Sequence, residues 1–112
     1  MRKLEEEMVS AIVNRYTWHG TNTTVKIEYN SEHDFNEAFV YLWGNLIAKV
    51  NNCGVWMSSA GWSTTTTRSR LSAIAEACYV NGRVTTLGGY MHIASGKDEL
   101  YDLSGDKLVK VA

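Results

Sequence analysis

Apolar residues recur at helical spacing near the start of the chain. Leu4, Met8, Ala11 and Ile12 fall on one face of a helix predicted over residues 3–15. Glu5, Glu6 and Glu7 lie in its first turns and Arg15 near its end, the arrangement that complements the helix dipole. Residues 17–22 read as a loop. From Thr23 to Tyr29 the pattern alternates, so Val25, Ile27 and Tyr29 are expected on the core side and Lys26 and Glu28 in water. The polar stretch 30–36 interrupts it. Residues 38–43 are apolar at almost every position, as in a strand covered on both faces or one carrying an exposed aromatic face. Gly44-Asn45 then supplies a tight turn, 46–50 returns, residues 51–54 turn again, and 55–58 make a short further partner in the meander.

The helical period comes back over residues 66–80, where Leu71, Ile74, Ala75 and Cys78 form a stripe. A Ser or Thr among residues 63–66 suits its start, and Asn81-Gly82 its stop. The rest is β-like. Strands over 84–87 and 90–93 flank Gly88-Gly89, residues 95–98 are a loop, and strands over 100–103 and 107–111 flank Ser104-Gly105-Asp106 as a hairpin. The order is helix, three strands, helix, three or four strands. It predicts a single α+β domain with antiparallel sheets of about six strands and helices on one face, rather than a parallel βαβ fold.

Composition changes this picture little. At 112 residues, 45% apolar and 21% charged, the chain can bury one core without staples. A net charge of −1 sets up no global attraction to nucleic acid or anionic membranes, so any basic site must be local. No apolar run reaches the roughly 18–20 residues of a membrane span, and the first residues lack a signal-like apolar core. The expected location is the cytoplasm. Cys53, in a turn, and Cys78, on a helix face, have no CxxC or metal-type spacing and are expected to be free thiols.

The segment richest in candidate chemistry runs from Gly61 to Leu71. Thr64, Thr66 and Thr67 with Arg68 and Arg70 gather hydroxyls and guanidinium groups at a helix start, where free amides and the dipole favour an anion. The same residues would also serve as a redundant cap with solvated arginines. No Walker loop is present. Tyr41 and Trp43, with Phe39, are placed on one face of a strand, Trp56 on a neighbour and Trp62 just before the second helix. These rings either fill the core or form a platform for a partner. His19, His33 and His92 are scattered without metal-ligand spacing, no nucleophile elbow frames a serine, and no carboxylate pair stands out. No metal, cofactor or catalytic residue is expected.

Gly61-Trp62, the threonines at 64, 66 and 67, Arg70-Leu71 and Ala73-Ile74 resemble a run in a family of small, uncharacterised proteins of tailed bacteriophages. The stretch Leu42-Trp43-Gly44-Asn45-Leu46-Ile47-Ala48 is similar to the part upstream of it in those proteins. The resemblance implies a phage-encoded accessory protein acting in the bacterial cytoplasm and carries no site residues with it. The expected function is a non-enzymatic binding protein that engages a host protein. The alternative is a nucleic-acid-binding domain using Arg68, Arg70 and Lys26 with the strand aromatics; a small-molecule enzyme ranks third. Trp43, Trp56 and Trp62 discriminate between the first two. Rings continuous with the arginines favour nucleic acid; an aromatic patch without arginine favours a protein.

Overall fold

The computed structural model describes residues 2–80, 82–94 and 100–112. The first helix, α1, spans Lys3–Asn14. Five strands follow: β1 Trp18–His19, β2 Thr23–Asn30, β3 Phe35–Leu42, β4 Asn45–Asn51 and β5 Gly54–Met57. The second helix, α2, spans Thr65–Ala77, and β6 Arg83–Leu87, β7 Tyr90–Ala94, β8 Leu100–Asp102 and β9 Val109–Lys110 complete the chain. All strand pairings are antiparallel. One sheet has the order β1-β2-β3-β4-β5-β9 and the other β6-β7-β8. The α+β class is therefore as the pattern predicts.

The strands outnumber the expected six because short or polar segments also pair. Trp18–His19, read as loop, forms an edge strand on β2. The polar interruption shrinks to Ser31–Asp34, and β3 begins at Phe35 opposite Asn30. Ser104-Gly105-Asp106 is not a hairpin turn. β8 pairs with β7 in the small sheet while β9 pairs with β5 in the large one, so this segment crosses between sheets. Ser58 Oγ donates to the Gly105 carbonyl at 2.7 Å, and Ser59 N–H to the Leu103 carbonyl at 2.6 Å, tying the crossing to the end of β5. The expected loop at 95–98 lies outside the described residues.

The large sheet buries one face only. Val25, Ala38, Val40, Leu42, Ala48, Val50, Val55 and Met57 pack beneath Met8, Ala11 and Ile12 of α1 and Leu71 and Ile74 of α2. A bulge between Val40 and Tyr41 lets Ile47 join the buried side with Ala48. Val84, Met91, Ile93 and Leu103 bring the small sheet into the same core. Burial fades along β2: Val25 is buried, Ile27 half-buried, and Tyr29, expected inside, is 61% exposed where the sheet runs past its cover. Tyr29 donates instead to Asp34, a bond that raises its pKa.

Both helices end without glycine. Tyr16 N–H bonds the Ala11 carbonyl with Arg15 left-handed, and Val80 N–H bonds the Ala75 carbonyl with Tyr79 left-handed. These are Schellman-type stops, so α2 ends before the predicted Gly82. Arg15 also donates to the Ile12 carbonyl, satisfying the end of α1.

Candidate functional site

The Gly61–Leu71 segment splits into residues with different work. Thr64 is the N-cap of α2: its Oγ1 accepts from Thr67 N–H at 3.1 Å and lies 2.9 Å from Thr67 Oγ1. One hydroxyl thus does the capping. Thr67 is buried, Thr66 half-buried, and Arg68 half-exposed. Arg68 lines a groove of about 620 Å³ with Arg2, Arg83, Ser72 and Glu76, between the starts of α1 and β6.

Arg70 corrects the expectation of an exposed anion contact. It is 4% exposed, and its Nη1 lies 2.8 Å from Oε2 of Glu5, itself buried. Nε donates to Thr23 Oγ1 at 3.1 Å and Nη2 to Asn22 Oδ1 at 3.2 Å. Ser69 Oγ also donates to Glu5. The guanidinium is consumed in joining α1, α2 and β2. The physical reason is the Glu5 position. Glu5, Met8 and Ile12 share the inward face of α1, so the carboxylate is carried under α2 and needs a buried cation.

The aromatics also separate. Phe39 and Tyr41 project from the uncovered face of the large sheet, as does Trp56, all half-exposed. Register places Lys26, Phe39, Lys49, Trp56 and Lys110 side by side across β2, β3, β4, β5 and β9. Lys49 Nζ stands 4.1 Å from the Trp56 ring centre, Lys110 Nζ 5.5 Å from it, and Lys26 Nζ 5.2 Å from that of Tyr41. Glu37 on the same face is held by Asn30 and Asn51 at 3.0 and 2.9 Å, and the Asn30 bond keeps its carboxyl below the usual range.

Trp43 leaves that face. β3 stops at Leu42, which pairs with Asn45, so Trp43-Gly44 is the hairpin turn rather than Gly44-Asn45. Both turn residues have positive φ, 49° and 79°, as a type I′ turn demands. A bulky side chain in the left-handed region is strained. The Trp43 N–H bonds the Asn22 carbonyl at 2.8 Å. A second turn, closed by Trp62 N–H on the Ser59 carbonyl at 2.9 Å, has Ala60 and Gly61 at φ 54° and 81°. The two turns bring Trp43 and Trp62, 61% and 60% exposed, to the rim of a pocket of about 420 Å³. Leu42 and Ile47 line it, with Asn45, Ser59, Thr64 and Thr67 as its polar residues. No charged residue lines it.

A family model described as Kyanoviridae Gp96 protein matches residues 1–107. The chain belongs to this family. It is a family of tailed cyanophages, which bears out the phage resemblance read from the Trp43 and Trp62 segments; both lie inside the match. The function of the Kyanoviridae Gp96 family is not known. No curated protein and no solved structure matches the chain.

In this Gp96-family chain, no helix among the described residues is long and apolar enough to cross a membrane. Among the same residues no three His, Cys, Asp or Glu side chains form a group able to hold a metal. Cys53 is exposed and Cys78 half-buried, both free, and burial pushes the Cys78 thiol up. Pattern reading missed Glu5, Asn22 and Ser59. Nothing in the spacing marks Asn22 or Ser59, but Glu5 carried a signal: it stands one position from Leu4 and three from Met8, within the apolar stripe.

Proposed function

We propose that this phage protein is a non-enzymatic binding factor that engages a host protein through the Trp43–Trp62 pocket, in the bacterial cytoplasm. The observation that carries the reading is the pair of exposed tryptophans flanking an uncharged pocket. Exposed tryptophan is rare on a surface that meets only water, and tryptophan is enriched among residues that dominate protein interfaces. The arginines stand elsewhere: Arg70 is buried and Arg68 lines the other groove. The strain at Trp43 supports the same reading, since backbone strain is retained where a side chain's placement matters.

The test is capture from nuclease-treated host lysate, followed by affinity measurement on the captured protein. Trp43→Ala and Trp62→Ala should each weaken binding about 30-fold or more, the effect of losing a central aromatic anchor. Capture that is indifferent to both substitutions defeats the proposal.

A second reading is favoured by the row of Lys26, Phe39, Lys49, Trp56 and Lys110. Lysines alternating with rings on an uncovered sheet suit a single-stranded nucleic acid, with phosphates on the ammonium groups and bases on the rings. Titration with a labelled oligonucleotide tests it. Lys49→Ala with Lys110→Ala should flatten the salt dependence by roughly two charges, and Trp56→Ala should weaken binding at every salt concentration. Salt-independent or absent binding removes this reading and leaves the first untouched.

A further inference from the structure

The fold uses two of the chain's five arginines and leaves three over. Arg70 is bound to Glu5, and Arg15 donates to the Ile12 and Asn36 carbonyls. The guanidinium groups of Arg2, Arg68 and Arg83 have no ion pair or hydrogen bond among the described residues. All three nevertheless line one groove, the cleft of about 620 Å³ between the starts of α1 and β6. They come from three elements: Arg2 is the N-cap residue of α1, Arg68 lies in the first turns of α2 and Arg83 opens β6. Like charges gathered in this way repel one another. Glu5 at the groove is neutralised by Arg70, so Glu76 is the one unpaired carboxylate there among the described residues, against three cations. A chain of net charge −1 thus folds to a local site with an excess of about two positive charges.

We infer that this groove binds a small molecule carrying linked phosphates, the chemistry of a nucleoside di- or triphosphate or of inorganic triphosphate. The planar fork of arginine pairs with phosphate oxygens through two parallel bonds, and no lysine lines the groove among the described residues. Thr65, Arg68 and Ser72 stand at i, i+3 and i+7 on one face of α2, a row about 10 Å long by helical rise. The Thr65 and Ser72 hydroxyls have no hydrogen bond among the described residues, so they offer further donors along the row. These groups are open to a ligand: Arg2, Arg83 and Thr65 are exposed, and Arg68 and Ser72 half-exposed. A single carboxylate presents one edge and one charge, which leaves two of the arginines unmatched. Phosphates present oxygens on several sides and carry the charge that balances the groove. Its volume falls in the range of small-ligand sites, which favours a small molecule over a nucleic-acid strand. The groove is separate from the Trp43–Trp62 pocket, and the inference does not rest on the host-protein reading.

The experiment titrates the intact protein with sodium triphosphate, ATP, adenosine, citrate and a single-stranded oligonucleotide by calorimetry, at fixed ionic strength and without divalent metal. Triphosphate and ATP should bind saturably, and adenosine should not. Equal affinities would make the phosphate chain the whole ligand; tighter binding of ATP would give the nucleoside a share of the groove. Arg68→Ala and Arg83→Ala should each weaken triphosphate binding about 10-fold or more, the effect of losing a charge-assisted contact. Both variants should keep the parent's urea midpoint, since neither guanidinium is bonded to another element among the described residues. Lys107→Ala removes an exposed charge outside the groove and should leave the affinity unchanged. The inference is overturned by no saturable binding of triphosphate, by adenosine binding as tightly as ATP, or by citrate binding as tightly as triphosphate. It is overturned equally if Lys107→Ala weakens binding as much as the arginine variants do. Tighter binding of the oligonucleotide, with the same dependence on Arg68 and Arg83, would assign the groove to nucleic acid instead.

Discussion

Replacing Arg70 with alanine is expected to destabilise the protein by about 3–5 kcal/mol, read as a fall in the urea midpoint at unchanged slope. The loss is large because the substitution strands a charge. Glu5 is 4% exposed, and Arg70 is its counter-ion at 2.8 Å. Thr23 Oγ1 and Asn22 Oδ1 lose donors at the same time. Replacing both members, Glu5→Met with Arg70→Met, should recover most of the loss, because the desolvation of two ions then disappears with their attraction. Arg68→Ala is the control: half-exposed and without an ion pair among the described residues, it should change stability by no more than about 0.5 kcal/mol. If Arg70→Ala melted with the parent, the pair would not be buried. The effect should also reach the pocket. Asn22 holds Arg70 through its side chain and Trp43 through its carbonyl, so releasing the side chain loosens the turn that presents the tryptophan.

The contrast between Arg68 and Arg70 shows where reading the sequence stopped. Periodicity located both helices, most of the strands and the buried Leu71, Ile74 and Ala75, because each depends on the spacing of neighbours along the chain. Whether an arginine beside the stripe faces water depends on what another helix brings opposite it. Here that is Glu5, 65 positions away. The aromatics failed to read as two groups for a similar reason. A strand period running through Trp43 keeps it with Phe39 and Tyr41, but the turn begins one residue earlier than Gly44-Asn45 suggests. The preference of left-handed turns for Asn-Gly gives no warning of a tryptophan at the first position. The pocket then forms from two turns separated in sequence, Trp43-Gly44 and Ala60-Gly61. The Thr64 cap, by contrast, was legible, since capping is local.

Leu71→Ala carries the second large expected effect, about 2–5 kcal/mol, in the range of leucine truncations in packed cores. Its side chain has no exposure, and α2 packs against α1, β4 and β6, so Leu71 lies where the helical layer and both sheets share one core. The cost has two parts: the transfer of the lost methyl groups and the cavity left behind. The second depends on how far the surroundings collapse. Strands held on both sides by ladder bonds move little, and α2 is pinned at its start by the Thr64 cap and through Arg70 to α1 and β2. A site that cannot close keeps its cavity, which places Leu71→Ala toward the upper part of the range. Cys78→Ala, at the half-buried end of the same stripe, removes a smaller group beside solvent and should cost well under half as much. Equilibrium urea unfolding of the two variants gives the comparison. Equal midpoints for Leu71→Ala and the parent would mean that this face of α2 does not close the core, and the Trp43–Trp62 pocket, built partly on Thr64 and Thr67 of the same helix, would lose its support.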